Sequence, residues 1–148
     1  MSVVSRFKRK LKELEDSINV TIKSSIDANK PVLIAMNTKD QLYGSGEDAT
    51  GKELVPSYAQ STKLIKRKKG QKTSNVTLKD SGDFYNSVNI QTSTTQAIFS
   101  TNVEYYKYLV AHYKTDSILG LQTDNKELFI DKYILPNLKK NFKAIITK

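Results

Sequence analysis

The stretch SVNIQTSTTQAIFST at residues 87–101 is where this chain stops reading as helix and starts reading as paired strands. Ser87 to Thr92 alternates, which directs Val88 and Ile90 to one face. Gln96 to Thr101 offers Ala97, Ile98 and Phe99, and the polar Ser93 to Thr95 joins the two runs as a hairpin. A shorter β-prone run, Val76 to Lys79, lies just upstream. The flanks on both sides have helical spacing or loop composition. The expected class is therefore α+β, with a long N-terminal helix, a small antiparallel sheet with a hairpin, helices packed on it and a long basic loop.

Upstream, Val4, Phe7, Leu11, Leu14, Ile18, Ile22 and Ile26 recur at steps of three or four, the stripe of a helix that forms an arm over residues 1–29. Pro31 opens a second helix carrying Leu33, Met36 and Leu42, and Gly44 and Gly46 end it. Residues 47–75, rich in Gly, Ser, Thr and Lys, read as an extended surface loop with one helical turn near Ser57 to Lys63. A loop of that length in a compact domain is more often functional than idle.

Downstream, Glu104 to Tyr113 holds Tyr105, Tyr106, Tyr108, Leu109, Val110 and Tyr113, a helix expected to lie against the sheet. Thr123 is placed to cap a final helix over 124–146, whose Leu128, Leu135, Leu138, Phe142 and Ile145 form its apolar stripe. Pro136 must bend or interrupt that helix, because it removes a backbone hydrogen bond.

A chain of 148 residues has the size of one domain spanning 1–148 and hides roughly 70% of its unfolded surface, enough for stability without disulfides or metal. It contains no cysteine and a single histidine, His112, so no metal site of the His/Cys kind and no cofactor is expected. The most apolar run, Val32 to Met36, is far too short to span a bilayer, and acids at Glu13, Glu15 and Asp16 stand where a secretion signal needs apolar residues. No membrane partner is expected.

The net charge of +9 is unevenly spread. Arg6, Lys8, Arg9, Lys10 and Lys12 form one cluster without an acid; Lys63, Lys66, Arg67, Lys68, Lys69 and Lys72 form another. Between them, residues 31–60 carry a net charge of minus two. Segregation of this kind suits an anionic partner, either nucleic acid or the acidic face of another protein. No aromatic residue interrupts the second cluster, so backbone electrostatics rather than base stacking is the expected mode.

Motifs that carry chemistry are weak here. Asp80-Ser81-Gly82 matches the short aspartic-protease signature, but Lys79 precedes it and no apolar strand follows. Asp80, Ser81, Gly82 and Asp83 suit a tight turn, with Asp83 capping a helical turn through Phe84 to Ser87. Asp40, Glu47 and Asp48 lack the spacing of a calcium loop and read as a solvated acidic surface. His112 has no nucleophile or base at a catalytic spacing, and Gly44-Ser45-Gly46 lacks the Gly-Lys-Ser/Thr ending of a phosphate loop. No catalytic residue is expected.

The order of segments carries a resemblance. Gln41-Leu42-Tyr43 ends a helix; Gly51-Lys52-Glu53-Leu54, Tyr58 and Lys66 to Lys69 follow; then come Leu78-Lys79-Asp80-Ser81-Gly82-Asp83-Phe84-Tyr85-Asn86-Ser87, a hairpin and Tyr105 to Tyr113. From Asp40 to Leu121 this resembles the virion-morphogenesis and tail-completion proteins of tailed bacteriophages, with Ser81 where threonine is commoner. The resemblance implies a non-enzymatic subunit of the neck, head-tail connector or tail terminator. Its partners would be copies of itself in a ring, neighbouring portal, neck or tail proteins, and the packaged double-stranded DNA in the channel. It would be assembled in the host cytoplasm and would reside in the virion. The alternative left by charge alone is a free basic protein that binds DNA through phosphate contacts.

Overall fold

A computed structural model describes residues 2–148. The chain is mostly helical, with a single two-stranded antiparallel sheet among the described residues. Helix α1 (Val3–Ala28) starts at Ser2, whose hydroxyl accepts from the Ser5 N–H at 3.1 Å, and ends at Asn29. Helix α2 (Lys30–Ala35) has Pro31 in its first turn, where the missing N–H costs nothing, and widens into π-helical turns over Met36–Ser45. Gly46 stops them with φ +70, a conformation that a β-carbon disfavours. Both boundaries agree with the sequence expectation.

The remaining elements are α3 (Gln60–Lys68), α4 (Asp83–Ser87), β1 (Asn89–Thr92), β2 (Ala97–Ser100), α5 (Tyr106–Tyr113) and α6 (Thr123–Phe129). The chain then passes through π-helical turns (Ile130–Ile134) into α7 (Leu135–Thr147). Ile90 pairs with Phe99 and Thr92 with Ala97 across the hairpin, so these face inward while Gln91 and Ile98 face out. Of the three residues that the second strand offers, Ala97 and Phe99 pack inward and Ile98 is exposed.

The core has two lobes. One gathers Leu33, Met36, Ile90, Leu121, Phe129 and Ile134; the other gathers Leu42, Leu54, Val76, Phe84, Val88 and Ile118. Phe99 and Ile34 pack against both and join them. Helix α5 lies on the second lobe through Tyr106, Leu109, Val110 and Tyr113, with the Tyr106 ring stacked 5.8 Å from Phe84.

Side chains of the first π-helical turns hold the lobes to the 118–125 segment. Asn37 donates to the carbonyls of Ile118 (3.1 Å) and Gly120 (2.9 Å), and Gln41 donates to Gly120 (3.0 Å). The Gln41 carbonyl oxygen accepts from the Gln122 N–H (3.0 Å) and from Asn125 (2.9 Å). Gln41 therefore closes the start of α6 from outside. Thr123, expected as the cap, lies instead in the first turn of α6, and Gln122 occupies the cap position.

Helices α1 and α7 run antiparallel, joined by Asn137 donating to Ser25 (2.9 Å), Asn141 to Thr21 (2.7 Å) and Lys10 to the Ile146 carbonyl (2.8 Å). Thr21 and Ser25 are buried in that seam, beside an apolar stripe that is only half covered. Val4, Phe7 and Leu11 remain exposed at the free end of α1, so the stripe buries Leu14 to Ile26 in part and leaves its first two turns open.

The final helix is broken where Pro136 demanded. Its π-helical turns insert extra residues, and each added residue rotates the helix face by about 100°. The apolar spacing therefore fails to carry across the break: Phe129 and Ile134 point into the core, while Leu128 and Leu135, expected inside, are exposed. Two further expectations for 47–79 are corrected. Residues 60–68 form helix α3, longer and further along the chain than the single turn expected near Ser57 to Lys63, with the buried Lys66 tying its inner face to the Lys79 carbonyl. Residues 76–79 form no strand. Tyr58 instead accepts from the N–H groups of Thr77 (3.0 Å) and Leu78 (3.1 Å), and the Tyr85 hydroxyl donates to the Thr77 carbonyl, which holds Leu78 at φ +56.

Candidate interaction surfaces

The six cations of the second cluster are divided by the fold into two groups. Lys66 is 7% exposed and donates to the Lys79 carbonyl (2.7 Å) and to Gln71 (3.3 Å), with its ammonium 4.9 Å from the centre of the Tyr58 ring. Lys72 donates to the carbonyls of Tyr43 and Gly44, both at 2.8 Å, and so satisfies the open end of the first π-helical turns. Lys69 pairs with Asp80 at 2.8 Å. All three are engaged by groups within the chain, Lys66 in a buried position and Lys69 in a pair that stays at the exposed surface.

Lys63, Arg67 and Lys68 make no ion pair among the described residues. Arg67 and Lys68 are exposed, Lys63 is half-buried, and beside them Leu64 and Ile65 are exposed too. The surface of α3 thus mixes cations with aliphatic groups, a composition that fits an acidic protein face better than a bare phosphate backbone.

The turn at Asp80 to Asp83 has a structural role. Asp80 accepts from Lys69 and from Gln71 (3.1 Å); the Ser81 hydroxyl accepts from the Asp83 N–H at 3.2 Å. Gly82, at φ +97, takes the cap position expected of Asp83. Helix α4 then carries Phe84 into the second lobe.

On α1, Arg9 pairs with Glu13 (3.7 Å), Lys12 with Asp16 (3.5 Å), and Lys10 holds α7, while Arg6 and Lys8 stand exposed beside Val3, Val4 and Phe7. The exposed pairs contribute little to stability. The two basic clusters are carried by different elements, one braced by α7 and the other by residues 43–44 and 79–80.

A surface groove of about 570 Å³ lies over the first lobe, lined by Ile26, Leu33, Phe99, Leu121, Phe129 and Ile130 among others. Nothing in the periodicity marks it, since it arises where the hairpin, the C-terminal end of α1 and the second π-helical turns meet.

Asp48, expected on a solvated acidic surface, is 4% exposed. It accepts from the Thr50 N–H (2.8 Å), the Thr50 hydroxyl (2.6 Å), the Lys52 N–H (3.1 Å) and the Thr115 hydroxyl (3.0 Å). Burial pushes its carboxyl up, but these four donors more than offset it and hold the pKa below the ordinary value. The Asp27 carboxyl is lowered to about 2 by a hydrogen bond from Lys23, aided by Thr92. Lys69 and Gln71 lower Asp80 in the same way.

A carboxylate whose folded pKa is depressed contributes stability above its unfolded pKa and loses it as pH falls through the folded value. The urea midpoint is therefore expected to be flat from neutral pH to about pH 5 and to fall between about pH 4 and pH 2. Asp48→Asn should lower the midpoint at neutral pH and reduce the acid slope. An unchanged slope would remove Asp48 from the account.

Among the described residues no three His, Cys, Asp or Glu side chains gather as a metal site requires. No family model matches the chain, and no curated protein and no solved structure matches it.

Proposed function

We propose that this chain is a structural subunit of a tailed-phage particle, a ring-forming neck, head-tail connector or tail-completion protein. The observation that carries the reading is the order of elements. A long leading helix, a helix ending at Gly46, a basic segment, the Asp80 to Ser87 turn with Phe84 in the core, a hairpin and a tyrosine-rich helix follow one another as the resemblance implies. The run Val3, Val4, Phe7 and Leu11, exposed together on the first turns of α1, supports it, because neighbouring apolar groups left in water suit a contact surface.

In this reading copies associate head to tail, and the angle between neighbours must close to give a ring instead of a filament. Lys63, Arg67 and Lys68 face an acidic neighbouring ring or the DNA channel. Light scattering across a concentration and salt series, alone and with linear double-stranded DNA, tests the proposal. One closed mass that stops growing with concentration supports it. A monomer that binds DNA only at low salt favours the free basic DNA-binding protein instead.

The division of the cations yields a separate expected result. Changing Lys63, Arg67 and Lys68 together to glutamine should leave the urea midpoint unchanged and, if DNA is the partner, reduce the log-log salt slope of binding by up to about 2.7. Lys66→Gln should instead cost about 1–3 kcal/mol of stability, since it leaves the Lys79 carbonyl without its donor. Equal stability in the two variants would contradict the assignment of Lys66.

A further inference from the structure

We infer that the outward face of α3 packs on the acidic outer face of α6 in a second copy of this chain, and that this contact joins neighbouring subunits. The inference rests on the ring reading and replaces its open choice of acidic partner with a face that the chain itself carries.

Helix α3 presents its apolar side to water. At about 100° per residue, Thr62, Lys63 and Lys66 share one side of it, and Leu64, Ile65 and Lys68 share the other. The polar side packs inward: Lys66 is buried, Thr62 and Lys63 are half-buried, and Leu64 and Ile65 are each more than half exposed. A surface helix ordinarily turns the opposite way. The hydrogen bond from Lys66 to the Lys79 carbonyl (2.7 Å) fixes this orientation, so the aliphatic side stays in water until another surface covers it. Arg67 and Lys68 border that side with no ion pair among the described residues, and α3 contains no acid. The surface that complements it is acidic as well as apolar.

Helix α6 and the turns after it carry such a surface. Asp124, Glu127, Leu128 and Asp131 follow one another at steps of three, one and three, which places them on one outer side, and all four are exposed. None of the three acids makes an ion pair among the described residues. The nearby cations lie elsewhere: Lys126 lines the groove on the other side of α6, and the Lys132 ammonium sits 5.6 Å from the centre of the Tyr133 ring.

In one chain these faces stay apart. Helix α3 is held to Gln71, Lys79 and Asp80 beside the second lobe, whereas α6 enters the first lobe through Phe129. The contact is therefore heterologous, and each copy carries both halves. Helix α3 is about 14 Å long, too short to cover by itself the roughly 800 Å² per partner of a standard interface. The contact is expected to hold where each copy makes it twice, as in a ring.

Charge reversal in the full chain tests the pairing. Arg67→Glu/Lys68→Glu and Asp124→Lys/Glu127→Lys are each expected to raise the concentration needed for assembly, read by light scattering, by about tenfold or more. Their urea midpoints check that both fold. A chain with all four changes is expected to regain most of that loss, because its reversed faces match again. The chain has no cysteine, so a mixture of Leu64→Cys and Leu128→Cys chains under mild oxidation tests the same contact without altering charge. A dimer linked between residues 64 and 128, in excess of either homodimer, is expected.

Loss in both double variants with recovery in the fourfold one supports the pairing, as does the 64–128 link. A closed mass that neither reversal disturbs, or a loss that the fourfold variant does not recover, overturns the pairing and leaves the ring standing. Recovery in an assembly that keeps growing with concentration keeps the contact and overturns the ring. A monomer that gives no 64–128 link overturns both. Loss of binding to linear double-stranded DNA in Arg67→Glu/Lys68→Glu, with assembly unchanged, would assign the α3 face to DNA instead.

Discussion

Gln41→Leu is expected to lower stability by about 2–4 kcal/mol, although leucine is similar in size and fully apolar. Gln41 is 0% exposed and makes three hydrogen bonds, one given to Gly120 and two received from Gln122 and Asn125. Leucine fills the space but leaves the Gln122 N–H and the Asn125 amide without their acceptor. Unmet donors of this kind cost about 1–3 kcal/mol each, and the Gly120 carbonyl keeps its bond from Asn37. Urea denaturation should show a lower midpoint with an unchanged slope, the sign of lost stability without a change in the surface exposed. Asn125→Ala, which removes one member and leaves the Gln122 bond in place, should cost about 1 kcal/mol. A Gln41→Leu midpoint within error of the parent would mean that these bonds do not hold the 118–125 segment.

Phe84→Ala carries the largest expected loss, about 3–5 kcal/mol out of a typical total of 5–15 kcal/mol. The ring is 2% exposed, packs with Leu42, Val88 and Ile118, and stacks on Tyr106. It also anchors the turn whose Asp80 holds Lys69, so its loss should loosen the attachment of α3. Phe7→Ala supplies the contrast. That ring is 62% exposed, and its removal should change the stability of an isolated subunit by less than about 0.5 kcal/mol while impairing assembly. The same residue type thus separates folding from association. Similar losses for the two substitutions, measured on monomer, would show that the arm is part of the folded core.

These contrasts also mark what could be read from residue order. The α+β class, the first helix to Asn29, the glycine stop at Gly46, the hairpin with Val88 and Ile90 inside, and the break at Pro136 all follow from local rules. Periodicity, proline and glycine act within a few residues, so the sequence carries them openly. The cation clusters were legible as composition in the same way.

Which cations remain available for a partner was not legible. Lys66, Lys69 and Lys72 differ from Lys63, Arg67 and Lys68 only in what lies opposite them: the carbonyls of Lys79, Tyr43 and Gly44, and the carboxylate of Asp80. Those partners are brought near by packing across the chain, and no local pattern announces them. Burial of Asp48 among Thr50, Lys52 and Thr115 is of the same origin.

Residue order by itself determined the elements, their order and the segregated charge, because propensity and spacing are properties of neighbours along the chain. Tertiary structure alone decided that half of the first apolar stripe stays in water, that π-helical turns swap Leu128 and Leu135 for Phe129 and Ile134 in the core, and that an open groove forms at the far end of α1. Each of these depends on which surfaces meet across long separations in sequence, and burial is a property of such meetings.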